Sequence, residues 1–131
     1  MSIRDGLHRI KREFGSIHAY GKATVIGVFL THGVIDYLTT ITAYAVAESR
    51  GLNFADVEKN PFVAVSTPFE IFLIVVGSAF VISLVCAISY RIIEKEGGMY
   101  NRIFADFLFT VLVLMGAYIN INNLIFLSEF V

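Results

Sequence analysis

The sequence predicts an all-α membrane protein: an N-terminal amphipathic helix in the membrane surface followed by three transmembrane helices, together one integral membrane domain over residues 1–131. Three observations predict it. The chain is 56% hydrophobic and 16% charged, with a mean hydropathy of +0.73, more apolar than a soluble domain. Three apolar stretches, about 23–47, 69–93 and 103–127, each exceed the roughly 20 helical residues that cross a bilayer. Basic residues, finally, are concentrated on alternate sides of those stretches.

The first twenty residues carry Ile3, Leu7, Ile10, Phe14 and Ile17 at steps of four and three, which lines one side of a helix. Arg4, Arg9, Lys11 and Arg12 occupy the other sides. Such a segment lies in the membrane interface with its basic groups near anionic headgroups. A helix resting on a partner protein would carry the same pattern.

Within the first span, THGVIDYLTT places His32 and Asp36 one helical turn apart, and Thr39, Thr40, Ala43 and Ala47 continue that stripe. Small residues and hydroxyls suit a helix-packing seam. Asp36 asks for more, because an ionised carboxylate near the bilayer centre costs several kcal/mol and must be neutral, paired or hydrated. His32 is the partner that the spacing suggests, as donor or as counter-ion. The tripeptide AVA at 45–47 resembles a signal cleavage site. The apolar stretch before it is longer than the roughly 7–15 residues of a signal h-region, so the segment is expected to stay as a span.

The first connection, ESRGLNFADVEKNPFVAVSTP, holds both prolines. Asn53 can cap a short helix that ends before Pro61, and Asn60-Pro61 signals a turn. Thr67-Pro68-Phe69-Glu70 then reads as a capping box with proline at the first helical position, which accounts for Glu70 without a ligand role. In the second span Ala79, Ser83 and Ala87 form a small-residue row for helix contact, and Cys86 reads as a packing residue among them.

The second connection, EKEGGMYN, is short, with Gly97 and Gly98 able to take the left-handed backbone that ends a helix. In the third span Asp106, Thr110, Ala117 and Asn120 share a face. Asp106, close to Arg102, reads as an edge residue at the interface. Asn120 is expected near the depth of Asp36, with Asn123 to one side and Asn122 nearly opposite.

Orientation follows from the basic residues. Arg4, Arg9, Lys11, Arg12 and Lys22 precede the first span, and Arg91, Lys95 and Arg102 flank the second connection. The first connection has Arg50 and Lys59, and the tail SEFV has none. Positive loops stay in the cytoplasm, so the protein is expected in the cell membrane with its N-terminus cytoplasmic and its C-terminus outside.

Asp36-Tyr37-Leu38-Thr39-Thr40, followed by Glu58-Lys59-Asn60-Pro61-Phe62, resembles a D-x-x-x-T and E-x-N-P pattern found in small prokaryotic integral membrane proteins of a domain-of-unknown-function family. The resemblance covers about 33–63. It implies that Asp36, Thr40, Glu58 and Asn60 belong together, with the loop tucked over the first helix, and it supplies no activity. His32 lies outside the pattern.

These readings exclude several classes. A net charge of −1 gives no general basic surface for nucleic acid. One cysteine precludes an internal disulfide and a thiolate metal site. No cofactor is predicted; a haem or metal ion at His32 and Asp36 is the weakest alternative, since no other span offers a histidine for a bis-histidine haem. The expected polar site comprises His32, Asp36, Thr39, Thr40 and Asn120, with Glu58, Asn60 and Pro61 as the loop element. The leading reading is a non-catalytic membrane component that associates with itself or with another membrane protein. The alternatives are a proton- or cation-handling site centred on Asp36 and a membrane-embedded enzyme with Asp36 and Glu58 as acid and base.

Overall fold

The computed structural model describes residues 2–58, 60–64 and 66–129. Lys59 of the loop element and the last two residues of the tail therefore lie outside the described residues. Helix α1 covers Ile3–Gly15, opened by a Ser2 capping box in which Asp5 answers the cap. The first long helix runs over Ala19–Ser49, built as α2 (Ala19–Phe29), a π-helical segment (Leu30–Ile35) and α3 (Asp36–Ser49). Two short helices follow, α4 (Phe54–Val57) and α5 (Pro61–Ala64). Helices α6 (Pro68–Glu96) and α7 (Met99–Ser128) complete the chain.

Three helices are thus long and apolar enough to cross a membrane. Each runs past the expected stretch at both ends; 31 residues reach about 46 Å at 1.5 Å per residue, against a hydrocarbon core of about 30 Å. Their outward faces are apolar, with Phe69, Leu73, Phe80, Phe104 and Phe107 all more than half exposed. This is what a lipid-facing surface requires.

Caps set the boundaries. Asn53 accepts from the Ala55 N–H at 3.1 Å and opens α4. Thr67 and Glu70 form the capping box of α6 with Pro68 behind the cap. The glycines behave differently from expectation. Gly97 and Gly98 are extended, and Gly51 takes the left-handed backbone with φ 66°, closing α3. Gly97 is instead short of space: a Cβ there would come within 3.0 Å of the Ile93 carbonyl.

The three long helices contact one another along their length, α1 touches α6, and α4 and α5 lie over α3 and α6 respectively. Two apolar clusters fill the bundle. One, at the α1 end, gathers Ile17, Val25, Val28, Cys86, Tyr90 and Ala105. The other, at the loop end, gathers Ala47, Phe54, Val63, Ile71 and Val75. Between them lies a level where the helices approach through small residues. A Cβ on Gly33 would sit 2.9 Å from that of Ala79, and one on Gly116 would sit 2.5 Å from Thr31 Oγ1.

The apolar stripe of the N-terminal segment splits in two. Phe14 and Ile17 pack into the α1-end cluster, whereas Ile3, Leu7 and Ile10 are 86%, 63% and 65% exposed. The helix stops at Gly15, so Ile17 belongs to the linker before α2.

Candidate functional site

The π-helical segment is where the first long helix stops behaving as one continuous α-helix. Thr31 Oγ1 bonds back to the Gly27 carbonyl at 2.8 Å, a contact that bends helices. Asn120 Nδ2 donates to the Thr31 carbonyl at 2.8 Å, and His32 Nε2 donates to the Leu112 carbonyl at 2.7 Å. Leu112, Gly116 and Asn120 are spaced by four along α7, so a single face of that helix carries the acceptor, the close approach and the donor. Such widened turns recur where side chains must be re-aimed. Here the turn sends His32 and Asp36 to different partners. His32 bonds across to α7, and Asp36 Oδ1 accepts from Asn123 Nδ2 at 3.2 Å. Their hydrogen bonds thus run across to α7 rather than to each other.

Asn123 Nδ2 also lies 3.2 Å from Thr39 Oγ1, which donates to the Asp36 carbonyl at 3.0 Å. These groups line a cavity of about 420 Å³ at the loop end. Asp36, Thr39 and Thr40 come from the first helix, Glu58 and Asn60 from the connection, and Asn122 and Asn123 from α7. Among the described residues no lysine, arginine or histidine lines it.

The loop element owes its shape to its own residues. Glu58 Oε1 accepts from the Asn60 N–H at 2.9 Å, and Asn60 Oδ1 accepts from the Phe62 N–H at 3.1 Å. Pro61 begins α5, where its missing N–H costs nothing. Glutamate, asparagine and proline at this spacing thus form a self-capped turn, and Val63 on the following helix anchors it in the loop-end cluster.

Of the residues expected at the site, Asp36, Thr39, Thr40, Glu58 and Asn60 line this one cavity, with Pro61 immediately beyond. His32 and Asn120 do not line it and instead hold the helices together at the π segment. Asn120 is 5% exposed, and its Oδ1 has no hydrogen-bond partner among the described residues. Asn122 does reach the cavity, although the helical angle set it opposite Asn120.

A second polar cluster, which the sequence reading did not assemble, ties the helices at the α1 end. His18 Nδ1 contacts Glu94 Oε1, and Nε2 lies 2.9 Å from Asp106 Oδ1. The Tyr90 hydroxyl donates to the same Asp106 oxygen at 2.8 Å, and Tyr20 bonds Thr110 one turn further along α7. A neutral imidazole donates from one nitrogen only, so meeting both carboxylates takes one additional proton shared by the three groups. Asp106, expected as a hydrated edge residue, is here part of an interhelical clamp. Depth was the available signal: His18, Glu94 and Asp106 each lie within five residues of an end of an apolar stretch.

Beside the clamp, Glu13 of α1 binds Arg91 Nε and lies 3.8 Å from Lys95 Nζ. The Arg91 guanidinium holds the Glu13 carboxyl below the usual glutamate range. Ser2 does the same for Asp5 by hydrogen bonding.

No family model, curated protein or solved structure matches the chain.

Proposed function

We propose that this small membrane protein is a non-catalytic component that takes a small cation, the proton included, into a polar site in the outer half of its bundle. One observation carries the reading: the carboxylates of Asp36 and Glu58, contributed by a membrane helix and by the connection, line one cavity with amides and hydroxyls and with no basic side chain among the described residues. A carboxylate at that depth needs a proton, a cation or water to offset its lost hydration. Thr39, Thr40, Asn60 and Asn123 supply neutral oxygens suited to hard cations. The resemblance of these residues to a D-x-x-x-T and E-x-N-P pattern of small membrane proteins is a reason to treat Asp36, Thr40, Glu58 and Asn60 as one unit. Among the described residues no group of three or more His, Cys, Asp or Glu side chains converges, so the reading is a weakly held cation rather than a tightly caged metal.

The test compares thermal unfolding of the purified protein in sodium, potassium and tetramethylammonium chloride at equal ionic strength, and across pH 5–9. Wild type should be stabilised by one of these cations or by protons. Asp36→Asn keeps the amide-sized group and should assemble normally while losing that dependence. A melting curve that ignores cation and pH in wild type, or a dependence retained in Asp36→Asn, refutes the proposal and leaves the cavity as a hydrated packing feature.

A further inference from the structure

We infer that the groove between α1, α2 and α6 holds one acyl chain of an anionic phospholipid from the leaflet on the α1 side, with its phosphate at Arg9, Arg91 and Lys95. This site shares no residue with the polar cavity at the loop end. It is a cavity of about 700 Å³, sorted by polarity along its length. The walls are apolar, with Phe29 on the first helix facing Phe80, Leu84 and Ile88 on α6. The rim carries three cations, Arg9, Arg91 and Lys95, and one carboxylate, Glu13.

Three features identify the occupant. Glu13 engages Arg91 through Nε and lies 3.8 Å from Lys95 Nζ, so one carboxylate meets two of the three cations and positive charge is left over at the rim. A guanidinium bonded through Nε has further N–H donors for phosphate oxygens. From Phe80 to Ile92 the wall runs twelve residues along α6, about 18 Å at 1.5 Å per residue, close to the roughly 15 Å of hydrocarbon in one leaflet. The wall also opens toward lipid, since Phe80, Ile88 and Ile92 are 60%, 52% and 54% exposed. An apolar channel one leaflet long, with surplus positive charge at its interfacial end, matches a chain that carries an anionic head. Zwitterionic phosphatidylcholine brings a phosphate offset by its own ammonium, and it should bind less well.

The experiment is native mass spectrometry of the full chain in a neutral detergent. It is presented with equal amounts of dioleoyl phosphatidylglycerol and dioleoyl phosphatidylcholine. Wild type should retain one phosphatidylglycerol per chain with about a tenfold preference. Arg9→Gln with Lys95→Gln leaves the Glu13–Arg91 contact in place and should bring the preference within twofold. Ala87→Leu narrows the groove and should reduce both lipids at least fivefold, with circular dichroism confirming the helical content. Soluble glycerophosphoglycerol at millimolar concentration should not displace the lipid. Equal retention of the two lipids by wild type, an unchanged preference in the double variant, displacement by the soluble headgroup, or a lipid-free dimer mass would each overturn the assignment.

Discussion

Replacing Gly116 by alanine should loosen the bundle at its middle more than any other single-methyl change. The added Cβ would lie 2.5 Å from Thr31 Oγ1 and 2.8 Å from both His32 Nε2 and Thr31 Cβ, where ordinary contact begins at 3.4 Å. Relieving those clashes requires α7 to retreat by 0.6 to 0.9 Å, the differences between 3.4 Å and those distances. The same movement stretches the His32–Leu112 bond from 2.7 Å and the Asn120–Thr31 bond from 2.8 Å, taking both out of good hydrogen-bond geometry. Overpacking costs about 1–3 kcal/mol, and two interhelical bonds in a bilayer add about 0.6 kcal/mol each. The sum of about 2–4 kcal/mol corresponds to a roughly 30- to 700-fold fall in the folded-to-unfolded ratio. Reversible unfolding in mixed micelles, followed by circular dichroism, reads this directly. Gly77→Ala is the control: a Cβ there meets nothing within 4 Å, and the better helix former should be neutral or gain up to about 1 kcal/mol. If Gly116→Ala unfolds within about 0.5 kcal/mol of wild type, the two helices do not depend on that close approach and the reasoning fails.

Three further outcomes are expected. Tyr90→Phe keeps the ring in the α1-end cluster and removes the hydroxyl bonded to Asp106, for a loss of about 1 kcal/mol; His18→Ala strips both carboxylates of their shared partner and should cost at least about 2 kcal/mol, so a smaller loss than for Tyr90→Phe would contradict the clamp. Because the folded-state pKa of Glu13 lies below its ordinary 4.5, its contact with Arg91 contributes fully above that value and is lost as pH falls through the depressed one. Hydrogen exchange of α1, corrected for intrinsic rates, should therefore show protection at pH 7 that weakens as pH falls below 4.5, and Glu13→Gln should lack that pH dependence. Orientation is read on a Cys86→Ser background: a cysteine at exposed Ala55 should react with an impermeant thiol reagent outside intact cells, and one at exposed Asn101 should not; the opposite labelling reverses the topology.

Hydropathy made the three long helices legible, because a bilayer demands about twenty apolar residues in a row and little else in a sequence resembles that. The caps at Asn53 and at Thr67 with Glu70 were equally readable, since they depend on neighbours in the chain. What escaped the sequence depends on contacts between helices. His32 and Asp36 are one turn apart in any α-helix, and nothing in LTHGVI says that the helix will widen there. The widening answers Asn120, Gly116 and the Leu112 carbonyl, some eighty residues away. The part that Asp106 plays in the clamp escaped for the same reason: its partners are His18, just before α2, and Tyr90 on α6. The cavity was half legible, with Asp36, Thr40, Glu58 and Asn60 grouped by a short motif; the helical angle set Asn122 opposite Asn120, and it is Asn122 that lines the cavity while Asn120 turns to the Thr31 carbonyl.

The widened turn also means that the first long helix has two phases on one axis. One inserted residue rotates everything beyond it by about 100° relative to an uninterrupted α-helix. The stripe through Val25 and Val28 is therefore out of step with the stripe through Thr39, Thr40 and Ala47, although both face inward. Each half answers to its own neighbours: the first to Tyr90 and Cys86, the second to the connection and its cavity. Residues lining the polar cavity can thus change without re-aiming the side chains at the α1 end, and the His18 clamp can change without turning Asp36 away from Asn123.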